Sequence, residues 1–185
     1  VLNRFVAELR DVNIQHDSLR FRRNIERIGE IMAYEISKDF AYSEKNIPTP
    51  LGIAPMYTPD NQVVISTILR AGLPFHHGFL SYLDNAENAF VSAYRKYKDR
   101  LNFDIHIEYI ASPALADKTL IVTDPMLATG SSMELAYQAL LTKGKPAHVH
   151  VASIICSRPA LEYLKKKMPD NTTIWIAALD EGLDD

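Results

Sequence analysis

The chain has 185 residues, a length near that of one domain, with 47% hydrophobic and 23% charged residues. This ordinary globular composition allows a sizeable core and excludes disordered, collagen-like and mucin-like chains. The net charge of −3 gives no electrostatic case for nucleic-acid binding.

Cysteine usage and hydropathy indicate the compartment. The single cysteine, Cys156, cannot form an internal disulfide, and one cysteine with six histidines argues against a structural zinc site. No apolar run approaches the roughly 20 residues that cross a bilayer. The residues from Val1 to Phe5 lack the layout of a signal peptide. We therefore expect a cytoplasmic protein with no membrane-spanning segment.

The first third of the chain predicts a helix and then an extended segment. Apolar residues recur at helical spacing between Asp17 and Phe40, and Asp17 or Ser18 can cap the start of this helix. Residues 47–59 contain four prolines, which favour an extended arm that lies along another surface.

From Gln62 onward, short apolar strands alternate with helical patterns. Strands are predicted at 63–69, 89–94, 105–111, 119–123, 149–155 and 174–178, and helices at 74–83, at 132–143 and around Pro159 to Lys167. This alternation predicts an α/β fold with a mainly parallel central sheet flanked by helices. Ligands of such sheets bind beyond the carboxyl ends of the strands, so we expect the site in the loops after Leu69, Tyr94 and Thr123.

The loop after the strand 119–123 carries the strongest functional pattern. It reads Asp124-Pro125-Met126-Leu127-Ala128-Thr129-Gly130-Ser131-Ser132 and enters a predicted helix. Free N–H groups at a helix N-terminus attract anions, Gly130 allows close backbone approach, and the Thr and Ser hydroxyls add donors. These features predict a monophosphate site in which the Asp124 carboxylate can accept hydrogen bonds from ribose hydroxyls. For the short Thr-Gly-Ser-Ser sequence alone, an ordinary turn and helix cap is the alternative.

The longer string resembles the phosphoribosyl-diphosphate (PRPP) signature of type I phosphoribosyltransferases, and its Asp-Pro-Met-Leu-Ala-Thr-Gly form resembles the uracil phosphoribosyltransferase family. The resemblance continues in order along the chain, at Leu9-Arg10-Asp11, Phe21-Arg22, Ile28 to Glu35, Thr49-Pro50-Leu51, Ile68 to Leu73, Tyr94-Arg95 and Leu179 to Leu183. It implies one phosphoribosyltransferase domain over residues 1–185, made of an N-terminal helical region and arm (1–61), an α/β core (62–178) and the start of an incomplete base-binding segment (179–185).

The reaction implied by the resemblance is transfer of the 5-phosphoribosyl group from PRPP to uracil, which gives UMP and diphosphate in pyrimidine salvage. The resemblance implies catalytic roles for Asp124, Arg70 and Arg95. It implies PRPP binding by Arg70, Ala71, Gly72, Arg95, Asp124, Pro125, Met126, Leu127, Ala128, Thr129, Gly130, Ser131 and Ser132. In the family the peptide after the matching arginine is often cis, so a cis bond is expected between Arg70 and Ala71.

Further expectations concern the metal, the lid and the partners. Mg²⁺ is expected to bind mainly through PRPP oxygens, without a protein metal cage. The charged loop from Lys96 to Asp104 is expected to be a mobile lid. A homodimer or higher homo-oligomer is expected through the N-terminal helix and arm. The base-binding residues stay unknown, because that segment of the family would follow Asp185.

The sequence is also compatible with two alternative functions. One is a regulatory or degenerate relative that binds PRPP or UMP without turnover, and the other is a phosphoribosyltransferase for a different base. The bulky Pro74-Phe75-His76-His77 sequence departs from the family pattern. We expect His76 and His77 to be solvent or interface residues, Cys156 to be buried at a strand end and Trp175 to lie in the core.

Overall fold

The computed structural model describes residues 1–97 and 103–182, with the side chains of residues 94–97 and 103–106 outside that description. The elements follow one another as α1 (Leu2–Arg10), α2 (Ser18–Ser37), β1 (Tyr42–Thr49), β2 (Gly52–Pro59), β3 (Val63–Leu69), α3 (Leu73–Leu80), β4 (Glu87–Tyr97), β5 (Phe103–Ala111), β6 (Thr119–Thr123), β7 (Met126–Leu127), α4 (Ser131–Leu140), a 3₁₀ turn (Leu141–Lys143), β8 (His148–Ser157), α5 (Arg158–Lys167) and β9 (Thr172–Asp180).

A seven-stranded sheet forms the centre of the fold. Its strands lie in the order β5-β4-β3-β6-β8-β7, and β9 pairs with β8 as well. All of these pairs are parallel except β4 with β5. The predicted α/β fold with a mainly parallel sheet is confirmed, and the parallel pairing brings several strand ends to one edge.

Helices cover both faces of the sheet and make two hydrophobic cores. On one face, α4 and α5 pack against residues such as Val64, Val122 and Val151. On the other face, α1, α2 and α3 pack against residues such as Ile65 and Ile121. Strand β3 contributes to both cores, which explains why the sequence 63–68 is a continuous buried run rather than an alternating one.

Helix α2 has the N-terminal cap that the sequence predicts. The Asp17 side chain accepts a hydrogen bond from the Arg20 N–H at 3.0 Å.

Helices α2 and α3 pack closely, because one glycine of each helix lies where they cross. Between α2 and α3, a Cβ at Gly78 would lie 2.0 Å from the carbonyl oxygen of Glu26, and one at Gly29 would lie 2.6 Å from that of Phe75. The backbones of α2 and α3 therefore approach too closely for any side chain at these positions.

The extended arm predicted at 47–59 is instead a β-hairpin. It begins earlier, at Tyr42, and β1 pairs antiparallel with β2 in a separate two-stranded sheet. The chain reverses between Thr49 and Gly52, where the Thr49 hydroxyl donates to the Gly52 carbonyl at 2.7 Å. Apolar side chains on this hairpin are exposed to solvent, among them Leu51, Ile53, Met56 and Tyr57.

Other boundaries differ from the sequence prediction by a few residues. Strand β4 extends to Tyr97, three residues beyond the predicted end, because its last residues pair with β5 rather than with β3. Helix α3 ends at Leu80, ahead of the predicted Leu83. Among the described residues, no helix is long and apolar enough to cross a membrane.

Candidate active site

Two loops leave the sheet side by side at its carboxyl edge. They are the Arg70 turn (residues 70–72), which follows β3, and the Asp124 loop (residues 124–130), which follows β6. Thr67 and Thr123 are paired at the ends of these strands. The Thr67 hydroxyl donates to the Thr123 carbonyl at 3.3 Å, and the Thr123 hydroxyl donates to the Ser66 carbonyl at 3.2 Å. The predicted arginine and carboxylate segments therefore follow neighbouring strands that are joined by two side-chain hydrogen bonds.

The first half of the Asp124 loop runs along the end of β8. The Asp124 N–H donates to the Ala152 carbonyl at 3.1 Å. The Pro125 carbonyl accepts hydrogen bonds from the N–H groups of Ile154 and Ile155, at 3.2 and 3.1 Å. Strand β7 then pairs with Ile155 and Cys156. Cys156 is buried near the end of β8, as expected.

Gly130 is required at the point where the loop enters α4. It is the N-cap of α4 with a φ of +80°, in the left-handed region that favours glycine. A Cβ there would lie 3.1 Å from side-chain atoms of both Tyr163 and Leu164. The hydroxyls of Thr129 and Ser131 lie 2.8 Å apart in a hydrogen bond. Beside them is a cleft of about 140 Å³, lined by Asp124, Met126, Leu127, Ala128, Thr129, Gly130, Ser132 and Met133.

The surroundings of Asp124 oppose its ionisation. The residue keeps some solvent exposure, but the atoms packed around its carboxyl group desolvate it and raise its pKa to about 7. A hydrogen bond from the Met126 backbone N–H acts in the opposite direction. The carboxyl group can therefore exchange a proton near neutral pH.

The Arg70 turn depends on a glycine that packs against β3. Gly72 is buried, and a Cβ there would lie 2.0 Å from the Thr67 hydroxyl oxygen. Its N–H donates to the Ile68 carbonyl at 3.2 Å, whereas Arg70 and Ala71 are exposed. The cis peptide bond joins Leu69 and Arg70. The expected cis bond between Arg70 and Ala71 is thus wrong by one residue, since the bond lies where the strand ends and the turn begins.

Arg95 lies on the part of β4 that continues beyond β3. The last pairing of these two strands joins Leu69 to Ser92, and Arg95 follows three residues later. Its backbone is therefore at the same edge as the Arg70 turn. Its side chain lies outside the described residues, as do residues 98–102 of the expected lid.

His76 is buried, which corrects the expectation of a solvent or interface histidine. Only 1% of the residue is exposed. Its Nε2 lies 2.6 Å from the Asn88 Oδ1, and its ring packs 5.1 Å from that of Phe90. Burial lowers the pKa of His76. His76 is buried because this side of α3 packs on β4, and the sequence gives no indication of this tertiary contact. His77 is exposed, as expected.

Ser157 contacts the Asp124 loop, although nothing in the sequence predicts this contact. Its hydroxyl donates to the Ala128 carbonyl at 2.7 Å and accepts from the Ala160 N–H at 3.1 Å. The Ser157-Arg158-Pro159 sequence is a helix-start signal, with a capping serine before a proline in the first turn. That signal indicates the start of α5 and does not reveal the contact with the loop.

Ion pairs hold the end of β9, where the resemblance places the lead-in to the base-binding segment. Arg158 forms a bidentate pair with Glu181, at 2.7 and 2.5 Å. Arg10, at the end of α1, pairs with Asp180. These contacts attach residues 180 and 181 to α1 on one side and α5 on the other.

The fold is that of phosphoribosyltransferases of known structure. A hypoxanthine phosphoribosyltransferase from Staphylococcus aureus shares the fold, with a TM-score of 0.57 at 13% identity over 89% of this chain and 80% of that one. A solved protein from Aquifex aeolicus has a TM-score of 0.87 at 28% identity, over 100% of this chain and 86% of that one.

Sequence comparisons identify the family. A family model described as uracil phosphoribosyltransferase matches residues 1–185. A uracil phosphoribosyltransferase from Porphyromonas gingivalis is 69% identical over 185 residues, which cover 100% of this chain and 86% of that protein. The chain therefore belongs to the uracil phosphoribosyltransferase family.

Proposed function

We propose that the protein transfers the 5-phosphoribosyl group of PRPP to uracil, giving UMP and diphosphate in pyrimidine salvage. Family membership over the whole chain carries this proposal. The reaction breaks the bond between the ribose anomeric carbon and diphosphate. It forms a bond from that carbon to a uracil nitrogen, which loses its proton. The transition state is oxocarbenium-like, so it needs neutralisation of the leaving group, ribose positioning and exclusion of water.

The Asp124 loop is the proposed site of the 5′-phosphate and the ribose. The 5′-phosphate is proposed to bind at the N-terminus of α4, which offers backbone N–H groups and lies beside the hydroxyls of Thr129, Ser131 and Ser132. The backbone of residues 125–130 forms the rest of this proposed phosphate site. The ionised Asp124 carboxylate accepts hydrogen bonds from the ribose hydroxyls, which are neutral donors. The support is the cleft between Asp124 and Gly130 and the left-handed glycine at the helix start.

The Arg70 turn and Arg95 are the proposed diphosphate contacts. Arg70 supplies a charged fork and Ala71 a backbone N–H. Gly72, whose own N–H is bonded to the Ile68 carbonyl, lets the turn lie close against β3. The support is the pairing of Thr67 with Thr123, which brings the Arg70 turn next to Asp124. Arg95 belongs to the same edge through the continuation of β4. Stabilising the departing diphosphate is the role of both arginines.

Mg²⁺ is the proposed cofactor, bound mainly through PRPP. Among the side chains that the structure describes, those of residues 1–93 and 107–182, no three His, Cys, Asp or Glu groups are placed so as to hold a metal ion. A carboxylate at Asp124 and the hydroxyls of the loop are hard oxygen ligands that suit an ion already held by phosphate oxygens and water. When bound, this ion would neutralise charge on the diphosphate leaving group.

Oligomer, domain and location are further parts of the proposal. The protein is a homodimer or higher homo-oligomer, since a two-stranded hairpin with exposed apolar residues is marginally stable alone in water. Residues 1–185 form a single phosphoribosyltransferase domain. The location is the cytoplasm, where a lone buried thiol such as that of Cys156 remains reduced.

Uracil-dependent UMP formation from PRPP and Mg²⁺ tests the proposed function. The wild-type protein, with any further residues of the natural chain, is compared with Asp124→Asn. We expect UMP from the wild type and a loss of roughly 100-fold or more in kcat/KM for PRPP in the variant. Folded protein that binds PRPP but turns over with no base would refute the enzyme proposal and favour a regulatory relative. Turnover with another base, without UMP formation, would contradict only the choice of uracil.

A further inference from the structure

We propose that Ser157 is a positioning residue for the phosphate site, because its hydroxyl fixes the Ala128 carbonyl and so sets the loop that receives the 5′-phosphate. The inference rests on the proposed function, since it assigns the phosphate to the Asp124 loop. It adds a residue from a different element, at the junction of β8 and α5, that need not touch the substrate.

The Ser157 hydroxyl makes two hydrogen bonds, one as donor and one as acceptor. The residue is 3% exposed. A serine hydroxyl has one proton, and here that proton is donated to the Ala128 carbonyl at 2.7 Å. Its oxygen also accepts the Ala160 N–H at 3.1 Å, which caps α5. One side chain therefore organises both the Asp124 loop and the start of the helix packed behind it.

The bond to Ala128 comes at the place where strand pairing ends. Backbone hydrogen bonds hold the loop to β8 from Asp124 onward, and the last pair joins Leu127 to Cys156. Ser157 is the next residue of β8 and Ala128 is the next residue of the loop. The contact between them is a side-chain hydrogen bond instead of a backbone one. Thr129 and Gly130 follow at once, and α4 starts at Ser131.

Helix α5 also packs directly against the turn into α4. The Gly130 backbone lies so close to Tyr163 and Leu164 that a Cβ would be 3.1 Å from each. The Tyr163 hydroxyl bonds to Glu134 in the first turn of α4. A shift of α5 would therefore disturb both the turn into α4 and the first turn of α4. Because small misplacements of binding groups are costly in catalysis, loss of the Ser157 hydroxyl should weaken PRPP binding.

The test separates the hydroxyl from the helix cap. In Ser157→Gly the hydroxyl is lost, but glycine is itself a tolerated N-cap residue. In Ser157→Thr the hydroxyl is retained. We expect the glycine variant to raise KM and the calorimetric Kd for PRPP roughly tenfold, with KM for uracil changed by less than about twofold. Threonine should restore most of the PRPP affinity.

A matched control removes a helix cap far from the site. Asp17→Ala deletes the side-chain cap of α2 and should lower Tm with KM for PRPP unchanged. If Ser157→Gly lowers Tm but leaves KM and Kd for PRPP at the wild-type values, Ser157 is only a structural cap and the inference is overturned. A wild-type protein that binds PRPP without forming UMP would contradict the proposed function, and the calorimetric Kd values would still decide the role of Ser157.

Discussion

The carboxyl group of Asp124 lies where β6 ends and the Asp124 loop begins, with its pKa raised to about 7 by burial. At neutral pH the group is thus near the midpoint of its titration. In the proposed complex, hydrogen bonds from the ribose hydroxyls would favour the ionised form. PRPP binding and ionisation of Asp124 would then be coupled, because burial alone disfavours the charged carboxylate.

The raised pKa of Asp124 predicts a difference between wild type and Asp124→Asn in how the free energy of unfolding depends on pH. The folded-state pKa is above the ordinary value of 3.8, so the stability that Asp124 contributes is present below pH 4 and is lost as the pH rises through 7. Between pH 5 and pH 8 the wild type should lose about 2–3 kcal/mol relative to the variant. Urea unfolding of both proteins across this range measures the difference, and parallel profiles would contradict it.

The sequence could predict local geometry that depends on local chemistry. A carboxylate, a glycine and hydroxyls before an apolar helical pattern placed Asp124 and Gly130 in the loop that enters α4. The position of the cis bond before Arg70 and the burial of His76 were not predicted. Both features depend on how a turn or a helix packs against the sheet, and the residues next to them in the sequence do not determine that packing.

At the scale of elements, the close crossing of α2 and α3 should be sensitive to a single methyl group. Gly78→Ala would place its Cβ 2.0 Å from the backbone oxygen of Glu26. Because a backbone atom cannot move aside as the end of a flexible side chain can, the two helices would have to separate. We expect a loss of about 2–3 kcal/mol in the free energy of unfolding. Gly182→Ala is the control, since no atom lies within 4 Å of its Cβ position. Equal stabilities of the two variants would count against this packing.

Strands β8 and β9 are joined by a side-chain bond that requires a neutral histidine. His150 is buried, and its Nδ1 accepts the Trp175 indole N–H at 3.0 Å. Burial, reinforced by nearby His148, lowers the pKa of His150 to about 4. Trp175 itself is only partly buried, although it packs against the core as expected.

Acid should therefore destabilise the fold through His150. Its folded-state pKa is depressed, so the stability is complete above the unfolded value near 6.5 and is lost as the pH falls through 4. From pH 7.5 to pH 5 the wild type should lose about 2 kcal/mol more than His150→Gln, which does not titrate. Denaturant unfolding at the two pH values provides the measurement, and equal losses in both proteins would refute the assignment.

Elements with strong local patterns were predictable, and elements defined by partners were not. The apolar runs of β3, β6 and β8 and the periodicity of α2 specify their own structure. The prolines of residues 47–59 indicated an extended chain but not its pairing with residues 42–49. That first strand has polar, mostly exposed residues, so hydrophobic alternation could not reveal the hairpin.

For the whole molecule, the hairpin is the surface that should decide the oligomeric state. Tyr57 is 66% exposed and Ile53 is 73% exposed. The double variant Ile53→Asp/Tyr57→Asp should shift a dimer to monomers at micromolar concentration, because it introduces charge into a buried apolar contact. Light scattering measures the mass, and Lys166→Asp on the exposed end of α5 is the control. A wild-type monomer, or a double variant of unchanged mass, would refute the proposed use of the hairpin.

The ion pairs at the end of β9 give the whole molecule a dependence on ionic strength. Arg158 with Glu181 and Arg10 with Asp180 are exposed pairs, and dissolved salt screens such charges beyond about 10 Å at 0.1 M and about 3 Å at 1 M. Concentrated salt should weaken both attachments while the buried strand pairing of β8 and β9 persists. Residues 180 and 181, at the end of β9, would then be held less firmly to α1 and α5 in brine than in dilute buffer.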